Sequence, residues 1–113
     1  MSGITTHVLD TSRGRPAEGV PATLEIEASG GWKLIGKGTT NADGRIADLV
    51  SSESTLAAGV YRLRFDTAKY FANQQIQGFY PQVTIVFRIE DSAQHHHVPL
   101  LLSPFGYSTY RGS

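Results

Sequence analysis

Four histidines at two places in the 113-residue chain could carry acid–base or metal chemistry. His7 lies near the start, and His95, His96 and His97 follow one another near the end. Successive side chains of a strand face opposite ways, so His95 and His97 would share one face and His96 would lie on the other. Two histidines on one face, completed by His7, could bind zinc. Against this metal site, no Asp or Glu is obviously placed to orient the imidazoles.

The same histidines could instead work without a metal. A neutral imidazole takes up a proton near pH 7 and can return it. An arginine beside a histidine can stabilise the negative charge that develops on a carbonyl oxygen during hydrolysis. The sequence has no Gly-x-Ser-x-Gly motif, so a serine-hydrolase mechanism has no support. The residues alone leave the metal site and the His/Arg hydrolase open as alternatives.

The segment 97–113 is unusually strand-like for a chain end. Chain ends are usually polar and frayed, whereas here an apolar run that ends at Leu102 leads into an aromatic stretch that reaches Tyr110. This pattern is typical of a strand that completes the edge of a sheet. An edge strand does not explain the last four residues, Tyr110-Arg111-Gly112-Ser113.

Alternation of apolar and polar residues dominates the rest of the chain and is typical of half-buried strands. About eight strands are predicted, at 4–9, 22–28, 32–37, 61–66, 83–89, 95–102 and 107–111, with a short one beginning at Arg45. One short helix is predicted at 67–74, capped by Asp66 or Thr67. Short strands separated by turns predict an all-β fold, a two-sheet antiparallel sandwich.

Composition excludes several classes of function. Ten basic residues balance ten acidic ones, which argues against nucleic acid or a membrane as a partner. The absence of cysteine excludes disulfides and thiol catalysis. The first residues lack the features of a signal peptide, and the longest apolar stretch is too short to span a bilayer. We therefore expect a single domain, 1–113, in the cytoplasm.

Two stretches resemble a known family. Residues 6–10, followed by Gly14, Pro16, Ala17 and Val20, resemble the opening of the transthyretin-related proteins. Residues 97–113 are similar to the closing signature of one branch, the 5-hydroxyisourate hydrolases. Asp43-Gly44-Arg45 and Phe79-Tyr80-Pro81 also fall where that family has matching residues. The resemblance covers essentially the whole chain, and its last four residues are the most specific part because hormone-carrying transthyretins lack them.

The resemblance implies a transthyretin-like sandwich of two four-stranded sheets with one short helix, assembled as a homotetramer. It implies active sites in a central channel at the dimer–dimer interface, each lined by two subunits. The implied reaction, part of urate degradation, is hydrolytic opening of the six-membered ring of 5-hydroxyisourate to a ureido-imidazoline carboxylate, with no metal or other cofactor. The implied catalytic residues are His7, Arg45 and His97. The implied substrate-binding residues are Tyr110, Arg111, Gly112 and Ser113.

Some residues and functions stand outside this interpretation. His95 and His96 depart from firm motif positions, so we expect them to be peripheral. The alternative function is a transthyretin-like carrier of small aromatic molecules without catalytic activity. Against it, bulky Tyr110 and charged Arg111 would narrow and polarise a channel that should be apolar. A sandwich that only mediates assembly has no support beyond the strand pattern.

Overall fold

Two four-stranded sheets and one short helix make up the computed structural model, which describes residues 3–50 and 56–113. The strands are β1 (Gly3–Asp10), β2 (Arg15–Pro16), β3 (Pro21–Ala28), β4 (Gly31–Thr39), β5 (Gly59–Phe65), β6 (Val83–Ile89), β7 (His95–Ser103) and β8 (Gly106–Thr109), and the helix is α1 (Thr67–Ala72). The predicted two-sheet sandwich with a short helix is therefore confirmed.

The first sheet has the strand order β2-β1-β7-β8 and differs from the expected antiparallel pattern at its centre. There β1 and β7 run parallel, with Thr5 opposite His97 and His7 opposite Pro99. A parallel pair needs a long crossover connection rather than a tight turn. The chain between β1 and β7 supplies it by building the second sheet. No local signal in either strand sets this direction.

The second sheet has the order β4-β3-β5-β6 and is antiparallel throughout. Strands β3 and β4 form the predicted hairpin, and Gly30 in its turn has a φ of +84°, a conformation that favours glycine. A register shift between Leu24 and Glu25 interrupts the β3–β4 pairing. The outer strands β4 and β6 are the two edges of this sheet.

The core lies between the sheets because alternate residues of each strand point inward. In β1 the alternation buries Ile4, Thr6, Val8 and Asp10 and leaves their neighbours half-exposed. Helix α1 adds Tyr70 and Phe71, both buried, as expected for packing residues. The Tyr70 hydroxyl donates a hydrogen bond of 2.6 Å to the buried carboxylate of Asp10, which fastens α1 to the end of β1.

Helix α1 is two residues shorter than predicted. Asp66 caps its start by accepting a hydrogen bond from the backbone N–H of Lys69. It ends at Ala72, and Gln75 then adopts a φ of +60°, which no helix tolerates. Among the described residues, no helix is long and apolar enough to cross a membrane.

The strand expected to begin at Arg45 is absent. Arg45 instead forms a single antiparallel bridge with His7, and the next residue, Ile46, is buried in the core. The chain therefore turns inward after one paired residue. The edge beside β1 is occupied by the two-residue strand β2, which was not predicted. At the other edge, β8 ends at Thr109 rather than Arg111.

Candidate active site

The outer face of the first sheet brings the predicted catalytic residues together. Alternation places Thr5 and His7 of β1 on this face, together with His95 and His97 of β7. His96 points the other way and is buried, with its Nδ1 3.1 Å from the carbonyl oxygen of Gln94. The predicted division of the three consecutive histidines between two faces is what the structure shows.

Thr5 joins two of the histidines. Its Oγ1 lies 2.8 Å from Nδ1 of His97 and 2.8 Å from Nε2 of His95. The parallel register causes this contact, because it sets Thr5 directly opposite His97. His95 was expected to be peripheral, yet the structure places it beside His97 through a shared hydroxyl. Sequence reasoning missed Thr5 because the pairing of β1 with β7 has no local signal.

A turn over residues 41–45 places Arg45 beside His7. The side-chain oxygen of Asn41 accepts hydrogen bonds from the backbone N–H groups of Asp43 and Arg45, as is common for asparagine in turns. Gly44 has a φ of +77°, and a Cβ on it would collide with the carbonyl oxygen of Val8. The Gly44 carbonyl then accepts a 2.8 Å hydrogen bond from the Val8 N–H. Glycine is therefore needed for the turn to dock on β1.

The last residues of the chain pack against His97. The N–H of Gly112 donates a 2.8 Å hydrogen bond to the carbonyl oxygen of His97. A Cβ on Gly112 would lie 2.5 Å from Cδ2 of the His97 ring, closer than two carbon atoms can approach without one moving. The absence of a side chain at position 112 therefore allows the segment to lie against the imidazole.

Two cavities flank His97. The first, which we call the His97 cavity, has a volume of about 540 Å³, within the range of small-molecule sites. It is lined by Thr5, Thr6, Asn41, Arg45, Ile46, Ala47, His95, His97 and Ser113. The second, which we call the Tyr110 cavity, measures about 260 Å³. It is lined by Ile85, Val86, Phe87, Arg88, His96, His97, Val98, Thr109, Tyr110 and Arg111.

The four residues predicted to bind substrate are thus divided between the two cavities. Ser113 lines the His97 cavity, and Gly112 contacts the His97 ring. Tyr110 and Arg111 line the Tyr110 cavity instead, and the Arg111 guanidinium donates to the side-chain oxygen of Gln94 at 2.9 Å. Within one chain, Arg45 and not Arg111 is the arginine that shares a cavity with Ser113.

The electrostatic environment keeps His97 neutral. Burial lowers the pKa of His97, and the positive charge of Arg45 lowers it further, with smaller contributions from His7 and His95. An imidazolium at this position would lose hydration and be repelled by a cation, so the neutral form is favoured. Because the ordinary histidine pKa of 6.5 already lies below neutral pH, His97 is available to accept a proton at pH 7.

The geometry of the histidines bears on the zinc alternative. In the part of the chain that the structure describes, no three residues of the types His, Cys, Asp or Glu are grouped so as to hold a metal ion. Nδ1 of His97 and Nε2 of His95 both point to the hydroxyl of Thr5. These two nitrogens therefore serve a hydrogen-bond network and do not converge on a common metal position.

Comparison with known proteins identifies the family. Residues 4–112 match the sequence model described as the HIUase/Transthyretin family. The chain belongs to this family. Among its relatives, the 5-hydroxyisourate hydrolase of Halalkalibacterium halodurans is 48% identical, and the match covers 100% of both chains.

Solved structures of the HIUase/transthyretin family include proteins with different functions. The 5-hydroxyisourate hydrolase of Klebsiella pneumoniae is 40% identical and has a TM-score of 0.84, and the match covers 97% of this chain and 98% of that one. Sea bream transthyretin in complex with thyroxine is 36% identical with a TM-score of 0.89, over 96% and 93% of the two chains. Because both share the fold, the side chains of the site must decide the function.

Proposed function

We propose that this protein is a 5-hydroxyisourate hydrolase that opens the six-membered ring of its substrate without a metal or other cofactor. The observation that carries the proposal is the His97 cavity, where a neutral imidazole, the Arg45 guanidinium and Ser113 face one space. The 40% to 48% identity to proteins that bear this name supports the same substrate. An apolar carrier channel needs none of these groups.

The proposed reaction begins with removal of a proton from water by His97 or His7. The water oxygen then bonds to the ring carbonyl carbon, and the negative charge that develops on the carbonyl oxygen is stabilised by Arg45. When the carbon–nitrogen bond breaks, the imidazolium returns its proton to the leaving nitrogen, so the histidine is regenerated. The product is a ureido-imidazoline carboxylate, whose anionic group suits the cationic surroundings.

The last four residues are proposed to bind and orient the substrate. Ser113 supplies a hydroxyl at the His97 cavity. Gly112 allows close packing of the segment on His97. Tyr110 and Arg111 line the neighbouring Tyr110 cavity, so their contribution to the substrate site is proposed to come through assembly, in which two subunits line each site.

A homotetramer with sites at the dimer–dimer interface accounts for surfaces that a lone chain leaves uncovered. Several large apolar side chains on or near the edge strands β6 and β8 are exposed: Phe79, Val86, Phe105, Tyr107 and Tyr110. Exposed apolar clusters of this kind usually mark an interface. Light scattering on the purified protein is expected to give the mass of four chains, and a monomer mass would contradict the assembly. A cytoplasmic location remains a prediction from the sequence.

The hydrolase proposal is tested by following the ultraviolet absorbance of freshly made 5-hydroxyisourate. Purified protein is expected to accelerate the decay well above the rate in buffer. The same acceleration is expected after treatment with a chelator, because no step uses a metal. Equal rates with and without protein would rule out the proposed function, and loss of activity on chelation would restore the zinc site as an alternative.

A carrier function is the second candidate because sea bream transthyretin, with its bound thyroxine, has a TM-score of 0.89 with this chain. Calorimetry with thyroxine separates the two functions. The hydrolase proposal predicts no tight stoichiometric binding, since Arg45 and the histidines make the site polar. Tight binding together with an inactive hydrolase assay would favour the carrier.

A further inference from the structure

Thr5 occupies a position that neither the family resemblance nor the proposed mechanism assigns a role. Its Oγ1 is 2.8 Å from a nitrogen of His97 and 2.8 Å from a nitrogen of His95. Thr5 is half-buried in the middle of β1, whereas His95 is exposed. A hydroxyl has one proton to donate and two lone pairs that accept. It can therefore donate to one of these imidazoles while it accepts from the other.

We propose that Thr5, together with His95, sets the tautomer of His97 so that its Nε2 is unprotonated. This inference rests on the proposed function, in which His97 must accept a proton. In the arrangement assigned, the Nδ1–H of His97 donates to Thr5 Oγ1, and the Thr5 hydroxyl donates to Nε2 of His95. Each of the two 2.8 Å contacts is then a hydrogen bond with one donor and one acceptor.

The opposite arrangement would disable His97. If the Thr5 hydroxyl donated to Nδ1 of His97, the neutral imidazole would carry its proton on Nε2 and would present a donor instead of a base. His95 prevents this by offering an acceptor on the other side of the hydroxyl. Thr5 and His95 are thus positioning residues. Their hydrogen bonds fix the ring orientation and the tautomer of His97, as the hydrogen-bond partners of functional histidines commonly do.

In this arrangement His95 influences the tautomer of His97 only through Thr5. The structure gives the imidazole of His95 a hydrogen bond to Thr5, and the Thr5 hydroxyl stands between the two rings. Removal of His95 frees the hydroxyl to turn toward His97, whereas removal of the hydroxyl breaks the connection at its centre. The effect of losing both should then equal the effect of losing the hydroxyl alone.

The kinetic test compares four variants. Thr5→Val keeps the shape of the side chain without the hydroxyl and is expected to lower kcat about tenfold, with KM within about twofold of wild type because ground-state binding is unchanged. Thr5→Ser restores the hydroxyl and should retain activity. Thr5→Val/His95→Ala should match Thr5→Val. The control is Thr11→Val, which removes a hydroxyl that donates to the Leu102 carbonyl, remote from His97.

The decisive readout is the tautomer, measured by ¹⁵N NMR of the His97 imidazole at about pH 8, where it is neutral. Wild type should show the proton on Nδ1, and Thr5→Val a mixture of both tautomers. Because this needs no turnover, it tests the inference even if the hydrolase assay fails. A wild-type proton on Nε2, an unchanged tautomer in Thr5→Val, or a double variant clearly less active than Thr5→Val would each overturn the proposal.

Discussion

The outer faces of the two sheets hold their basic groups in different surroundings. On the second sheet, Glu25 of β3 lies between two arginines of β5. Its Oε1 is 2.8 Å from Nε of Arg62 and 3.7 Å from Nη1 of Arg64. Arg62 also stacks on Trp32, with the guanidinium carbon 4.4 Å from the ring centre. Glu25, Arg62 and Arg64 thus each have an opposite charge beside them, and Arg62 has an aromatic face as well.

On the first sheet, Arg45 and the histidines are gathered at one place. Arg45, His7 and His95 surround His97, and Arg45 makes no salt bridge among residues 3–50 and 56–113. The pKa values of Glu25 and His97 reflect these different surroundings. The hydrogen bond from Arg62, followed by the charges of Arg62 and Arg64, lowers the pKa of Glu25 despite burial, whereas burial and like charge lower the pKa of His97.

Position on a sheet therefore does not distinguish a site from a surface, whereas charge pairing does. A sheet face whose charged side chains form ion pairs stabilises the fold and takes no part in the reaction. An arginine without a counter-charge beside a cavity can instead stabilise the negative charge of a transition state. The first face is therefore expected to be reactive and the second structural.

Apart from the loss of His97 itself, the largest effect is expected from deletion of residues 110–113. This removes Ser113 from the His97 cavity and the backbone hydrogen bond between Gly112 and His97, and activity should fall by about 10²-fold or more. The sandwich should remain folded, because the core strands precede the deletion. Circular dichroism and the hydrolase assay check the two parts. A fully active truncated protein would reduce the segment to an edge strand.

Gly112→Ala should lower kcat by about tenfold or more, because the added Cβ collides with the His97 ring and displaces it. The matched control is Gly106→Ala in β8, where a Cβ would lie 3.8 Å from the Ser103 hydroxyl, an ordinary contact. Activity of both variants is measured alongside their melting temperatures. Equal activity in the two would show that the segment does not hold His97 in place.

Arg45→Gln should raise the pKa of His97, since it removes the charge that disfavours the imidazolium. Burial remains, so the pKa should stay below its ordinary value. The acid limb of the activity profile should move to higher pH, in addition to any loss of kcat. NMR titration of His97 measures the shift, with Arg64→Gln on the second sheet as the control. A pKa that is unchanged or lower in Arg45→Gln would contradict the account.

The smallest effect is expected on the second sheet. Glu25→Gln should lower the free energy of unfolding by about 0.5 kcal/mol at neutral pH, as is typical of partly exposed ion pairs, with unchanged hydrolase activity. The pKa of Glu25 is lower in the folded state than its ordinary 4.5, so its contribution is present above that pH and is lost as the pH falls through the folded-state pKa. Urea unfolding of both proteins should therefore converge at acid pH. A large loss of activity would mean that the paired face is not merely structural.

Much of the fold could be predicted from sequence because alternation is a local property. It predicted β1, β3, β5, β6 and β7 to within a few residues, and it divided His95, His96 and His97 correctly between two faces. Alternation does not say which strands pair. The parallel register that sets Thr5 opposite His97 joins residues about ninety positions apart, so neither Thr5 nor the place of His95 could be predicted.

The site was predicted less completely than the fold. His7, Arg45 and His97 came from the family resemblance. The structure places Arg45 and His97 at one cavity, whereas His7 pairs with Arg45 but is not among the residues that line this cavity. Their catalytic roles remain predictions. The strand at Arg45 was wrong because the burial of Ile46 pulls the chain inward after one bridge. The division of Tyr110 and Arg111 from Ser113 depends on how the segment passes over His97, which residue spacing does not encode.

The most direct test of the central claim is hydrolysis of 5-hydroxyisourate measured side by side for wild type, His97→Asn and Arg62→Gln. Each variant removes one titratable or charged group from the outer face of one sheet. The account predicts that His97→Asn loses about 10³-fold in rate, whereas Arg62→Gln, on the paired face, keeps wild-type activity. An active His97→Asn protein, or equal losses in the two variants, would contradict it.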